Sequence, residues 1–426
     1  MEKEQGRKDK VVPFHKFFAV FGYVVFSLLT IGTLLELGAF ACYSIHQSLQ
    51  GDPVAKAMAA SPSYNGYAWA PEFWEEERSR WKGWRDYYVP FRIWGLSIWH
   101  GKYVNTDRTE MGTWRRTVNA MSKECDKQAI VKLWMFGGST VYGTGVPDSA
   151  TLPSYLSQKL NAGPSRCVEV TNLGVEGYVT NQEVILLTEL LKGGSRPDVV
   201  ILYDGLNDGY VGGFSPGIAS AHMTLDLVKA RLEGDFKSKL SFLQDSYSLR
   251  LVRAAVNRLH RAAPARLSEE ELHTRAEATL ENYEANLTIV RALADAYKFK
   301  SYFFWQPTLF CGQKPTVAFE KQLIEHQRKA GGGDLWRAMN AVYREAERRS
   351  AASGGFTFMG EIFDRVAEPI YIDDWMHLGP LGNEIAAGEI AHRIELGPVD
   401  EWAKHEDARD DSGCTQAKRG LRSRSE

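Results

Sequence analysis

Cysteine is scarce in this chain, with five in 426 residues. No Cys-x-x-Cys or His-Glu-x-x-His spacing gathers donors for a metal, so neither a metal nor another cofactor is expected. A basic excess is missing as well: the net charge is -2, which gives no reason to expect a nucleic-acid partner. Internal repeats are absent, and long uncharged apolar runs are rare. What remains is 44% hydrophobic and 24% charged, enough to build a substantial core, and one large domain with appendages is expected.

One apolar run stands out. Phe17 to Leu35 carries no charged residue, and about nineteen residues at helical rise are enough to cross a bilayer core. Lys3, Arg7, Lys8, Lys10 and Lys16 precede it, whereas Glu72, Glu75, Glu76 and Glu77 follow. The positive-inside rule then puts the amino terminus in the cytoplasm and the chain after residue 48 outside. A single-pass signal anchor over 17–48 behind a basic tail at 1–16 is expected. A cleaved signal peptide is the alternative, because Ala39-Phe40-Ala41 has the small-x-small pattern of a cleavage site. Cys125 and Cys167 precede the first two strand-like runs, so neighbouring parallel strands could bring them within disulfide reach.

Residues 49–128 form a segment rich in aromatic side chains, among them Trp69, Trp74, Trp81, Trp84, Trp94, Trp99 and Trp114. Such groups suit a membrane interface, a sugar-stacking surface or an extra packed layer. From Val131 onward, strand and helix patterns alternate, which predicts a parallel five-stranded sheet covered on both faces, a three-layer α/β/α sandwich. Strands are expected at 131–136, 168–172, 199–203, 299–306 and 356–359. Thr180-Asn181-Gln182-Glu183 reads as a capping box, and Ser268 as the cap of a long helix running to Tyr297. The expected domain spans 129–397, with an insertion at 212–267 that could be helical and roof the site. A disordered tail is expected at 398–426.

Loops at the carboxyl ends of parallel strands converge on one crevice. Ser139 in Phe136-Gly137-Gly138-Ser139-Thr140 follows the first strand, and Asp374-Trp375-Met376-His377 follows the fifth. A serine with a remote His and Asp is the arrangement that turns a hydroxyl into a nucleophile for ester cleavage. Asn172-Leu173-Gly174-Val175-Glu176-Gly177 and Gly205-Leu206-Asn207-Asp208 lie after the second and third strands. No Gly-x-Ser-x-Gly elbow is present, which disfavours an α/β-hydrolase fold.

These four blocks, in this order and spacing, resemble the SGNH (GDSL-like) hydrolase family over residues 130–395. Tyr88-Val89-Pro90-Phe91 and Gly101-Lys102-Tyr103-Val104-Asn105 are similar to the extension of its membrane-anchored bacterial members. Block one reads Gly-Gly-Ser where the Gly-Asp-Ser form has an aspartate. The resemblance implies Ser139 as nucleophile, His377 as general base and Asp374 as the acid that orients it, with Asp373 an open alternative. It implies an oxyanion hole made by the amides of Ser139 and Gly177 and the side chain of Asn207. An extracytoplasmic esterase acting on acetyl or short acyl groups of a glycan or envelope component is expected. An acyltransferase with the same triad, or a non-catalytic binding module, is the alternative. Each block also has a plainer reading: Ser139 as a helix cap, Asn207 as a turn residue, the glycines as packing positions.

Overall fold

The computed structural model describes residues 14–50, 58, 60–83, 87–122, 125, 130–163, 167–215, 217–233, 266–329, 333–373 and 376–396. Asp374, the expected tail at 398–426, residues 1–13 of the basic tail and 234–265 of the insertion lie outside the described residues. The amino-terminal unit contains helix α1, Phe14–Gln50. Within it, Phe18–Ala41 is apolar and long enough to cross a membrane, a build shared by membrane anchors and signal sequences.

In the larger unit, the aromatic segment folds into helix α2, Ala70–Gly83, followed by two small antiparallel sheets. Strands β1, Tyr87–Val89, and β2, Ile93–Gly95, form a hairpin. Strands β3, Trp99–His100, β4, Asn105–Thr109, and β5, Gly112–Arg115, form a three-stranded sheet. Phe73 and Trp74 of α2 pack with Tyr64, Val104 and Ile372 into a buried cluster. Most of these indoles therefore serve as an extra packed layer, as large half-polar rings do where they can be buried edge to face. Arg115 fastens that layer to the main domain. Its buried guanidinium donates to Asp148 Oδ1 (3.0 Å), Gly143 O (2.6 Å) and Val146 O (2.6 Å).

The main sheet has five parallel strands in the order β10-β9-β8-β6-β7. They are β6, Val131–Gly137, β7, Val168–Gly174, β8, Val199–Asp204, β9, Lys300–Trp305, and β10, Thr357–Phe358. Side chains alternate across it with period two. Trp134, Phe136, Val200 and Leu202 enter one core, whereas Leu133, Met135, Val199 and Ile201 enter the other. Continuous apolar runs follow from this burial on both faces.

Short helix α3, Ser139–Tyr142, follows β6, and α4, Leu152–Leu160, leads to β7. Next come α5, Thr180–Lys192, and the single-turn α6, Leu206–Gly209. Helix α7, Leu225–Leu232, falls mostly in the same unit as α1. The later helices are α8, Glu269–Tyr297, α9, Ala318–Lys329, α10, Asp334–Ser353, and α11, Pro380–Arg393. Leu187 of α5, Leu280 and Leu287 of α8 and Met339 of α10 cover the first face. Leu156 of α4 and Ala386 and Ile390 of α11 cover the second. Ser268 caps α8 as expected, its Oγ accepting from Glu271 N at 3.1 Å. Cys125 and Cys167 form a disulfide beside the start of β7.

The expected capping box at Thr180 is not what forms. The N-cap is Val179, one residue earlier, so Thr180 is already helical and its hydroxyl donates to Asp208 Oδ1 at 2.6 Å. Gln182, not Glu183, folds back, accepting from Val179 N at 3.3 Å. Glu183 is left pointing into the protein, 1% exposed.

Candidate active site

Gly138 ends the turn after β6, and Ser139 is the first residue of α3, 8% exposed. This places its hydroxyl at the carboxyl edge of the sheet, where strand ends and helix starts meet. His377 arrives on the loop between β10 and α11. That loop is closed by backbone pairing, with Ile372 N donating to His377 O at 3.0 Å and Tyr371 bridged to Leu378. His377 Nε2 lies 2.8 Å from Ser139 Oγ. On the other side of the ring, Nδ1 is hydrogen-bonded to the Asp373 carboxylate, whose second oxygen accepts from His377 N at 3.3 Å. Of the two adjacent aspartates that the sequence offers, the one seen at the imidazole is Asp373.

Burial pushes the His377 imidazolium down. The charge and hydrogen bond of Asp373, joined by the negative charge of Glu176, outweigh it, and the pKa is raised above 6.5.

Two further loops bring amide donors to the same corner. Asn207, in α6 just after β8, donates from Nδ2 to Tyr178 O at 2.7 Å, leaving the second N–H of that amide for another acceptor. Gly138 is packed so closely beneath it that an added Cβ would collide with Asn207 Nδ2. A side chain at the position before Ser139 would therefore require the Asn207 amide to move. Gly177, in the turn after β7, has φ +78°, a left-handed conformation that glycine adopts at little cost. Ser139, His377, Asn207 and Gly177 are thus gathered by loops at one sheet edge.

The arrangement can hold an alkoxide-forming serine, a base that accepts its proton, and donors for a developing oxyanion. Among the described residues, no group of His, Cys, Asp and Glu is placed to hold a metal ion.

Several groups around the site had no motif to announce them. Thr144 Oγ1, on the loop after α3, donates to Glu176 Oε1 at 2.7 Å, and Arg80 Nη1 of α2 stands 3.8 Å from Glu176 Oε2. Trp94 of β2 donates its indole N–H to Glu176 O at 3.0 Å. Behind Asn207 lie three buried acids, Glu183, Asp204 and Asp208. Glu176 stands next to Gly177 in the sequence and could have been flagged from that alone; Trp94 had no comparable signal among the chain's tryptophans.

No family model matches the chain, and no curated protein matches it. Solved structures do. An acetyl xylan esterase matches at 15% identity, covering 62% of this chain and 100% of that one, with a TM-score of 0.34. A catalytic mutant of an acetylxylan esterase from Geobacillus stearothermophilus matches at 15% identity, covering 63% and 95%, with a TM-score of 0.34. A member of the lipolytic protein G-D-S-L family from Veillonella parvula DSM 2008 matches at 11% identity, covering 62% and 100%, with a TM-score of 0.32. Likeness at this level transfers no activity, and the chemistry of the site follows from its own geometry.

Proposed function

We propose that this chain is a serine esterase, with Ser139 as nucleophile, His377 as general base and then general acid, and Asp373 as the orienting carboxylate. The observation that carries the reading is the continuous relay from Ser139 Oγ through both ring nitrogens of His377 to the Asp373 carboxylate. Ser139 Oγ attacks the acyl carbon while Nε2 takes its proton. The tetrahedral intermediate places its oxyanion against the amides of Ser139 and Gly177 and the free N–H of Asn207. Collapse expels the alcohol, which receives the proton from Nε2. Water then repeats the sequence on the acyl-serine and releases the acid. Asp373 holds the tautomer with hydrogen on Nδ1 throughout and stabilises the imidazolium that forms twice per turnover.

The substrate in this proposal is an acetyl or short acyl ester, carried on a glycan or another envelope component outside the membrane. Two features support that location. Helix α1 has the length and composition of an anchor with basic residues before it, and a disulfide such as Cys125–Cys167 belongs to an oxidising compartment. The amino terminus is then cytoplasmic and the catalytic unit extracytoplasmic.

A fluorophosphonate probe tests the reading directly. The folded full-length protein should label at Ser139, and Ser139→Ala should abolish both labelling and ester hydrolysis. Absence of labelling at Ser139 in the folded protein would leave a non-catalytic binding module instead.

A further inference from the structure

One wall of the site is built by the aromatic extension, not by the main domain. The β1–β2 hairpin turns through Phe91 (φ 65°) and Ile93 (φ 72°), a left-handed conformation that costs a bulky and especially a β-branched residue. Such strain persists only where surrounding bonds over-determine it. Here Arg92 supplies them: Nε to Glu189 Oε2 (2.7 Å), Nη1 to Tyr178 Oη (2.9 Å), and its carbonyl accepting from Gln182 Nε2 (2.7 Å). Tyr178 in turn donates to Trp94 O at 2.5 Å. The hairpin is thereby locked onto the loop that carries the oxyanion glycine.

The product of that locking is the position of Trp94. Its indole N–H is committed to Glu176 O, and its ring meets Tyr178 edge-on at 5.5 Å between centroids. A Cβ built on Gly177 would lie 3.4 Å from Trp94 Cζ2 and 3.8 Å from Met223 Cγ. The half-buried ring is therefore within one small group of the Gly177 backbone, with His222 behind it at 6.2 Å. The residue whose backbone holds that indole, Glu176, carries a carboxylate that is 29% exposed and oriented by Thr144. A rigid aromatic face next to a fixed, partly solvated carboxylate can stack on the C–H face of a saturated ring and accept hydrogen bonds from its hydroxyls.

We propose that Trp94 and Glu176 form the subsite for the alcohol part of the ester, that this part is a neutral pyranose ring, and that Trp94 is a specificity-determining residue. The proposal rests on the esterase reading and names its substrate class. A cationic alcohol would also favour an aromatic face and a carboxylate. Arg80, fully buried and 3.8 Å from Glu176, is held bidentately by Glu77 at 2.7 and 2.8 Å and offsets that charge only in part. The Thr144 hydroxyl donating to Glu176 Oε1 shows the carboxylate serving as acceptor for a neutral O–H, which favours an uncharged polyol.

The full-length chain in detergent should be compared on three acetyl esters: a mono-acetylated methyl pyranoside, 4-nitrophenyl acetate and acetylcholine. Trp94→Ala should lower kcat/KM for the pyranoside about tenfold more than for 4-nitrophenyl acetate, with Trp94→Phe recovering part of the difference. Glu176→Gln should act in the same direction. An equal fall on both substrates would reduce Trp94 to a structural role and overturn the proposal. Preference for acetylcholine, lost in Glu176→Gln, would overturn it in favour of a cation site. Binding separates this proposal from the esterase reading. The Ser139→Ala protein should hold the intact acetylated pyranoside with a Kd that rises about tenfold when Trp94→Ala is added. No rise overturns the subsite, whereas a rise in a protein that never labels with fluorophosphonate overturns the esterase and keeps the subsite.

Discussion

Two sets of acids stand at the carboxyl edge of the same sheet, about one loop apart in the fold, and their surroundings give them opposite chemistry. Asp373, on the loop after β10, faces an imidazole and a backbone N–H. Glu183, Asp204 and Asp208 lie behind Asn207 at 1%, 4% and 3% exposure. Both oxygens of Glu183 and Oδ2 of Asp204 find no donor among the described residues. Burial first, and then the charge of neighbouring acids, raises the pKa of Glu183 and Asp204 well above the ordinary value. A proton held between Glu183 and Asp204 would supply the missing donor and remove a charge that burial makes costly. The same residue type thus orients an imidazole in one place and fills a buried corner of the fold in the other. Position in the sequence does not separate the two, since Asp204 ends a strand and Asp373 lies on the loop after one.

The sharpest test of the contrast removes one charge from each set. Asp373→Asn keeps the shape but lets Nδ1 lose its hydrogen, so Nε2 carries it instead and cannot accept from Ser139. Turnover should fall about ten-thousand-fold, with the melting temperature little changed. Asp374→Asn is the companion measurement, and a larger loss there than at Asp373 would give the orienting role to Asp374. Asp204→Asn should do the reverse of Asp373→Asn, altering the pH dependence of stability more than the chemistry at neutral pH.

Asn207 joins the two regions, its amide facing Gly138 beside Ser139 and its backbone adjoining Asp208. Asn207→Ala should slow turnover about 100- to 1,000-fold, or about 2.7 to 4 kcal/mol of transition-state stabilisation, with a smaller change in KM. An equal loss from an Asp208 substitution that leaves Asn207 in place would mean that the buried acids, and not the amide, govern the oxyanion site.

Much of this is legible in the sequence because apolar runs flanked by glycine announce buried parallel strands, and the strand ends then gather Ser139, Gly177, Asn207 and His377. Thr357–Phe358 is legible too, although it is only two residues long, because Phe356 and Met359 extend its apolar pattern. Three features are not. The hairpin at Tyr87–Gly95 depends on left-handed Phe91 and Ile93, which local propensity forbids and only the remote bonds of Arg92 allow. Glu183 reads as a surface capping residue until the helix start shifts by one and buries it. Asp373 and Asp374 are indistinguishable in a sequence, because the bonds of Asp373 to His377 depend on the loop closed by the pairing of Tyr371 with Leu378.

The buried set should declare itself in stability. Asp208, buried but hydrogen-bonded by Thr180, has its pKa pushed up by burial from 3.8 to about 6. A carboxyl group raised in the folded state binds its proton more tightly there than in the unfolded chain. Its contribution is therefore complete below about pH 4 and is lost as the pH rises through about 6, a change of about 3 kcal/mol by linkage. Chemical denaturation at graded pH should show this decline, and Asp208→Asn should flatten it. An unchanged slope in that variant would mean that folding does not raise the Asp208 pKa.

The smallest effect concerns Glu176, which belongs to neither set yet lies close enough to His377 to act on it through charge. Its carboxylate helps raise the His377 pKa, after the larger opposing effect of burial and the favourable effect of Asp373. The base must be neutral to accept the proton of Ser139, so kcat/KM falls as the pH drops through the pKa of His377 in the free enzyme. Removing the charge in Glu176→Gln lowers that pKa and should move the acid limb toward lower pH, measured with 4-nitrophenyl acetate so that ring binding plays no part. The displacement should be smaller than that seen in the residual activity of Asp373→Asn, because Asp373 adds a hydrogen bond to its charge. A limb that moves upward would mean that the substituted amide perturbs the loop, and one that stays fixed would mean that solvent and Arg80 already screen Glu176 from the imidazole.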